Sequence, residues 1–412
     1  MTAEEVPPPS ARLTLRDPLP PVIEDVAALE EFCEAVAAGS GPVALDAERA
    51  SGYRYSQRAY LVQVRREGAG TALIDPIASG GDLTALDAAI GDTEWILHAA
   101  TQDLACLAEV GLRPRLLFDT EHAGRLLNLP RVGLASLVEH YLGRSLAKEH
   151  SAADWSTRPL PEPWLVYAAL DVEVLIELRD LIDADLAKAD KAEWAAQDFE
   201  ALLSFTGAPA REEPWRRTSG IHQARGRRAL GLVREIWHTR DAIAAERDVT
   251  PGRILPDGSI LEIARTPPSN LDELQQMKVM RNRGPRRFLS HWHEAIERAL
   301  AMPDAELPHT SPRREGPPPP RAWAEKFPEA AGRLGRSREA VTALAVEHDV
   351  PTENLISPHL VRAVAWEPPD PPSTESVGDV LVAGGARSWQ IELTAAPLAA
   401  ALSGDEVAPP RE

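Results

Sequence analysis

Val43-Ala44-Leu45-Asp46-Ala47-Glu48 decides how the rest of the chain is read. Three apolar residues lead into two carboxylates two positions apart. In a β-strand, positions i and i+2 share a face, so Asp46 and Glu48 stand side by side at the end of a buried strand. Adjacent carboxylates repel, and desolvating them is costly. A divalent cation makes such a pair favourable; a strand that runs into solvent and ends in surface acids is the alternative.

Two later segments bear on that choice. Trp95–His98 is a buried strand followed by Ala99-Ala100-Thr101-Gln102-Asp103-Leu104, in which Thr101 is a good N-cap and Asp103 falls in the first helical turn. Tyr167 and Asp171 have i, i+4 spacing and share one helix face. Taken singly, Asp103 complements a helix dipole, and Tyr167–Asp171 is a half-buried tyrosine with an acid one turn on. Taken in order, a strand-borne acid pair is followed by an acid after a later strand, then by Tyr and Asp on a closing helix. Four carboxylates can hold two hard divalent ions about 3.5–4 Å apart, the arrangement that cleaves phosphodiesters. A tyrosine, with a reference pKa near ~10, is a poor free base but can orient an activated water or accept its proton.

The pattern around these residues predicts a helix over 24–38 stopped by Gly39–Gly41, then the Val43 strand. Tyr60–Val64 and Thr71–Asp75 form a hairpin across Glu67–Gly70. Helices over 82–90, 102–110, 120–127 and 134–141 alternate with strands at 95–98 and 116–118, and a long helix runs over 162–186. The fold class is α/β, a mixed sheet flanked by helices, followed by all-α modules. The expected division is a disordered Pro-rich tail (1–22), the α/β domain (23–206), a helical domain (213–302), a Pro-rich linker (303–320), a second helical domain (321–402) and a tail (403–412).

Asp46-Ala47-Glu48, His98–Leu104 and Tyr167–Asp171 resemble the three motifs of the DEDDy 3′→5′ exonucleases, bacterial ribonuclease D among them. The likeness extends through Gln63, Ala72–Pro76, Phe118–Thr120 and Asp154–Leu160. It implies an RNase H-like fold and two divalent cations, Mg²⁺ or Mn²⁺. By motif, Asp46, Glu48, Asp103 and Asp171 carry over as metal ligands, and Tyr167 as the residue positioning the attacking water. Asp103 is expected to act through water. One position departs from the pattern: the family usually has an aromatic after the first-motif Glu, and here it is Arg49. That puts the stacking of the terminal base in doubt; Tyr53 or Tyr55 substitutes, or Arg49 contacts a phosphate. His98 reads as a core or supporting residue, since such cations prefer oxygen. Trp155 and Arg158, just before the Tyr167 helix, suit either stacking and phosphate contact or core packing.

The charge is uneven. The chain carries −19 overall, yet residues 211–300 hold 17 Lys and Arg against 12 Asp and Glu, leaving −24 for the remainder. This basic module resembles the HRDC domain of ribonuclease D and certain helicases. Arg225, Arg227 and Arg228, with Arg281, Arg283, Arg286 and Arg287, form two clusters suited to phosphate or simply to solubility. Asp248-Val249…Pro267-Pro268 aligns without gaps on Asp349-Val350…Pro368-Pro369, a weak repeat at an offset of 101.

No run approaches the roughly 18 apolar residues of a membrane helix, and no basic-then-apolar leader opens the chain. Cys33 and Cys106 read as buried thiols of a reducing cytoplasm. No G-x-x-x-x-G-K-[ST] loop is present, so neither a nucleotide cofactor nor a helicase is expected. The expected activity is 3′→5′ exoribonuclease acting on RNA with a free 3′ end, tRNA precursors in particular, as a monomer that releases nucleoside 5′-monophosphates. A catalytically silent RNA-binding protein and a DNA-directed exonuclease are the alternatives.

Overall fold

Residues 11–147, 150–311 and 316–404 are described by the computed structural model. The first part contains β1 (Ala11–Arg12), β2 (Val22–Ile23), α1 (Val26–Ala38), β3 (Ser40–Arg49), β4 (Ala59–Glu67), β5 (Gly70–Ile74), α2 (Thr84–Ile90), β6 (Glu94–Leu97), α3 (Leu104–Glu109), β7 (Leu116–Asp119), α4 (Thr120–Leu126), α5 (Leu134–Leu142) and β8 (Arg144–Ser145). It closes with α6 (Glu162–Glu173), α7 (Leu175–Lys188) and α8 (Ala192–Leu203).

Six strands form one sheet in the order β2-β5-β4-β3-β6-β7. β4 runs antiparallel to β3 and β5, and the other pairings are parallel, so the sheet is mixed as the sequence implies. β3 lies inside the sheet with helices on both faces, and this is why its apolar run is continuous rather than alternating. Val43, Leu45 and Ala47 pack in the core containing Leu29 and Val36 of α1. Ala44, on the other face, meets Ile96, Val172 and Leu175. Asp46 and Glu48 project to this second face, where Asp46 stands opposite Gln63 and Glu48 opposite Leu61. The register shifts between Glu48 and Arg49, a bulge of the kind that re-aims side chains beside a site.

Several expectations are corrected. The Pro-rich stretch is ordered from Ala11: β1 pairs with β8, β2 extends the sheet beside β5, and Leu13 is buried. Pairing partners more than fifty residues away leave no local mark. Residues 1–10 and 405–412 of the expected tails, and 312–315 of the linker, lie outside the described residues. Thr101 is not an N-cap: Ala100–Gln102 form a 3₁₀ turn, and Asp103 itself precedes α3 without capping it. The long helix breaks after Glu173, whose carboxylate accepts the backbone N–H of Arg16 at 2.7 Å. Cys33 is half-buried rather than buried, and both thiols are free.

The first helical module comprises α9 (Arg227–Arg247), α10 (Pro251–Ile254), α11 (Asp257–Arg265), α12 (Leu271–Gln276), α13 (Arg283–Arg286) and α14 (Leu289–Ala301). The second has α15 (Trp323–Lys326), α16 (Pro328–Glu347), α17 (Thr352–Leu355), α18 (Pro358–Trp366), α19 (Thr374–Ala383) and α20 (Ser388–Ser403). The starts of α9, α10 and α11 and those of α16, α17 and α18 differ by 101 residues, the offset of the sequence repeat.

Each module meets the α/β domain through the same residue of the repeat. Asp248 and Asp349 both follow the long helix and both have φ +46°, a left-handed conformation that Asp tolerates better than most residues. The Asp248 carboxylate accepts from the Ser56 N–H at 2.8 Å and the Tyr60 hydroxyl at 3.2 Å. Asp349 accepts from the Asn128 amide at 2.7 Å, and its carbonyl from the buried Lys191 ammonium at 2.7 Å. The second contact also stacks Trp389 on Trp194 at 4.5 Å, with rings 8° from parallel.

Candidate active site

Three stretches far apart in the chain converge on one cleft of about 510 Å³. β3 brings Asp46 and Glu48, the turn after β6 brings Asp103, and α6 brings Tyr167 and Asp171. Carboxylate oxygens of Asp46, Glu48 and Asp171 all lie within 4.8 Å of one another. Asp103 lines the same cleft but stands outside that trio, its Oδ1 3.5 Å from the Arg49 guanidinium. The separation fits a carboxylate that reaches a cation through water.

Packing explains the convergence. Ala168 and Ala169 of α6 are fully buried against Leu61 and Leu73, so the helix lies close on the sheet and turns Tyr167 and Asp171 toward the β3 acids. Trp155 is buried beneath it, 6.5 Å from the Tyr167 ring, and supports the tyrosine from behind. The Asp103 turn is shaped by Asp119, a residue whose part the sequence reading missed. Its buried carboxylate takes the Ala99 and Ala100 N–H groups at 3.0 and 2.8 Å and also caps α4 through Glu121 and His122. The signal was present, since Asp119 immediately precedes the helix-starting Thr120-Glu121-His122. His98 lies at the cleft wall with Nδ1 2.9 Å from the Thr120 hydroxyl, and burial lowers its pKa, so it is neutral.

The electrostatics are those of an acid cluster that lacks its counter-charge. Among the described residues no Lys or Arg pairs with Asp46, Glu48 or Asp171; Arg49 reaches only Asp103. Burial pushes Asp46 up to about 6, against a backbone hydrogen bond and Arg49, which pull it down. Burial and then the charges of Asp46, Asp171 and Asp103 push Glu48 up to about 10. Burial and Asp46 raise Asp103 and Asp171 well above the usual range. Tyr167 is raised as well, by burial first and then Asp171 and Glu48, so its phenol stays protonated. Gln63, opposite Asp46 and fully buried, has no partner for either amide atom among the described residues. An all-oxygen donor set with this much uncompensated charge fits hard divalent cations.

A pH dependence follows. A carboxyl whose folded-state pKa is raised stabilises the fold fully below its unfolded value near ~4, and that stability is lost as pH rises through the folded value. For this cluster the loss begins near ~4 and is complete at about 6 for Asp46 and at about 10 for Glu48. Ligation requires the deprotonated forms. Without metal the melting temperature should therefore be lower at pH 8 than at pH 5.5, and Mn²⁺ should raise it far more at pH 8. A melting series with EDTA or Mn²⁺ checks this, and a metal-induced gain independent of pH would contradict it.

The remaining sequence candidates separate clearly. Arg49 lines the cleft. Tyr53 and Tyr55 do not, and face the first helical module instead. Trp155 is core. Arg158 spends its guanidinium on Asp75 at 2.5 Å and on the carbonyls of Trp155, Thr157 and Tyr60 at 2.7–2.8 Å, so of the two expectations Trp155 takes core packing over base stacking, and Arg158 supports the fold in place of contacting phosphate. Arg227 and Arg228 are likewise used, on the carbonyls of Leu307 and Pro308 and of Ala299 and Met302, where they hold the start of the linker against α9. Arg225, Arg283, Arg286 and Arg287 are exposed and make no ion pair among the described residues.

Residues 20–187 match a family model described as 3′-5′ exonuclease, residues 229–296 one described as HRDC domain, and residues 316–402 one described as 3′ to 5′ exonuclease C-terminal domain. A curated protein from Gluconacetobacter diazotrophicus named Ribonuclease D is 32% identical over 337 residues, 80% of this chain and 82% of that protein. The crystal structure of a protein from Bifidobacterium adolescentis superposes with a TM-score of 0.89 at 39% identity, covering 96% of this chain and 100% of that one. Escherichia coli RNase D, described as an exoribonuclease involved in structured RNA processing, superposes with a TM-score of 0.66 at 24% identity over 93% of this chain and 98% of that one, which shows a shared fold.

Proposed function

Because this chain belongs to the ribonuclease D family, we propose that it removes nucleotides one at a time from the 3′ end of RNA and releases nucleoside 5′-monophosphates. The observation that carries this reading is the carboxylate trio, Glu48 and Asp171 buried and Asp46 half-buried, which no Lys or Arg among the described residues pairs with, in an open cleft with Asp103 beside it. Asp46, Glu48 and Asp171, with Asp103 through water, would hold two divalent ions, Mg²⁺ or Mn²⁺. Bound there, such cations supply an acidified water nucleophile and neutralise charge at the leaving oxygen.

The chain's own groups do the positioning. Tyr167, held protonated in the metal-free cleft by burial and by Asp171 and Glu48, is placed to orient the attacking water by hydrogen bonding. Arg49, at the cleft wall, is suited to a phosphate oxygen of the terminal nucleotides. Arg225, Arg283, Arg286 and Arg287 are suited to the backbone of a longer RNA, which supports structured substrates such as tRNA precursors. The two free thiols support a reducing, cytoplasmic setting; a monomer is our expectation for the assembly. No helix among the described residues is long and apolar enough to cross a membrane.

The test is single-nucleotide laddering of a 3′-OH RNA with Mn²⁺, repeated with the matched DNA strand. RNA should be shortened in steps of one and DNA more slowly. Intact RNA under conditions of measurable binding, or activity surviving excess EDTA, would overturn the reading. Tyr167→Phe should lower kcat about 10²-fold with KM little changed, since orientation acts on the reacting water and not on RNA affinity.

A further inference from the structure

The connection between β3 and β4, residues 50–58, has no regular structure, and its first part enters the cleft, where Ser51 and Gly52 form one wall. Its own domain holds its first part: Ala50 and Tyr53 pack in the cluster of Tyr60 and Trp155, the Tyr53 and Arg54 N–H groups turn back onto the Ala50 carbonyl, Arg54 Nε donates to Ser156 at 2.8 Å, and Ser51 donates to Gln57 at 3.0 Å. Its outer side belongs to the first helical module. The Thr250 N–H donates to the Tyr53 carbonyl at 3.0 Å, and the Ser56 N–H donates to Asp248 at 2.8 Å. The Tyr55 hydroxyl donates to Asp241 at 3.0 Å, and the Arg253 guanidinium lies 4.5 Å above the Tyr53 ring.

An irregular segment of this length loses considerable conformational entropy when fixed, and its local bonds leave the Tyr53 carbonyl, the Tyr55 hydroxyl and the Ser56 N–H to the module. The module supplies what the sheet does not. We propose that the first helical module is a structural wall of the active cleft: through Asp248, Asp241, Thr250 and Arg253 it holds residues 51–56 in the shape that receives the terminal nucleotides. Asp248 is then a positioning residue for hydrolysis, in addition to any RNA contact made by the module's arginines. This rests on reading the cleft as an exonuclease site.

The experiment uses the full chain with Asp248→Gly and Asp248→Asn. Glycine accepts the +46° φ without strain, so the first substitution removes the carboxylate alone. Asparagine keeps the conformation and one acceptor oxygen. Two probes are compared with Mn²⁺: a 5′-labelled RNA dinucleotide, whose single scissile phosphate reports on the cleft, and a long 3′-OH RNA. Asp248→Gly should lower kcat/KM about tenfold on both probes, mostly through KM, and Asp248→Asn should recover part of the loss. Amide exchange over 52–56 should quicken in Asp248→Gly while the β3 amides stay protected, and Asp349→Gly in the second module should leave 52–56 unchanged.

Undiminished dinucleotide turnover with a loss confined to long RNA would overturn the proposal, because the module would then act by touching RNA. Unchanged exchange over 52–56 would overturn it as well. If the wild-type chain cleaves neither probe, the exonuclease reading fails, and the exchange result alone decides whether the module fixes this segment.

Discussion

Replacing Asp46 with Asn will lower single-nucleotide release by at least about 10³-fold at saturating Mn²⁺, because the two-metal arrangement supplies several kcal/mol of barrier reduction and each ~1.4 kcal/mol is tenfold. Glu48→Gln and Asp171→Asn should behave alike, since the three carboxylates lie within 4.8 Å and act as one donor set. RNA binding measured without turnover should change little, because none of the exposed arginines is altered. The same substitution should leave the metal-free protein as stable or more stable at pH 8. It deletes a charge whose desolvation pushes Asp46 up to about 6 and which raises the neighbouring Glu48, Asp103 and Asp171. Lost activity together with retained or increased metal-free stability marks a residue kept for chemistry. Turnover within tenfold of wild type would remove Asp46 from the donor set.

Arg158→Ala will destabilise the α/β domain by ~3 kcal/mol, because the buried Asp75 carboxylate loses a guanidinium that is itself only partly exposed. Asp75 is 2% exposed and, among the described residues, is left with only the N–H groups of Ile77 and Ala78. The carbonyls of Trp155, Thr157 and Tyr60 lose their donor at the same time. For a domain of this size the melting midpoint should fall by about 6–12 °C. Arg158→Lys should lie between, because an ammonium keeps the charge but not the planar fork. KM for RNA at a temperature where both proteins are folded should be unchanged. A raised KM with no loss of stability would instead make Arg158 a phosphate contact.

The contrast between Asp46 and Arg158 shows what the sequence could and could not carry. The acid pair was legible because strand periodicity fixes the face of each residue, and an apolar run ending in two acids has few inexpensive structures. The hairpin, the helix-closing glycines and the repeat offset were legible for the same reason: each is a local pattern with a local cause. The arginines were not. Composition reports that residues 211–300 are basic, but not that Arg227 and Arg228 are used on carbonyls more than seventy residues away. Arg158 and Trp155 sit in a stretch that resembles the family throughout, and only the fold distinguishes a residue that supports the cleft from one that enters it. The Asp103 turn was misread at Thr101 because the residue that shapes it, Asp119, belongs to another strand. The ordered stretch from Ala11 was missed because its strand partners are distant and its prolines argue locally for disorder.

Asp248 and Asp349 leave one more consequence. They end equivalent helices at the same φ, yet what receives them differs: a backbone amide and a phenol in one case, a carboxamide and an ammonium in the other. The plug is therefore the inherited part, and the receptors were fashioned separately. A further copy of the helical hairpin joined to this chain would arrive with its fastener already in place, and the domain it met would need to contribute only a pair of donors.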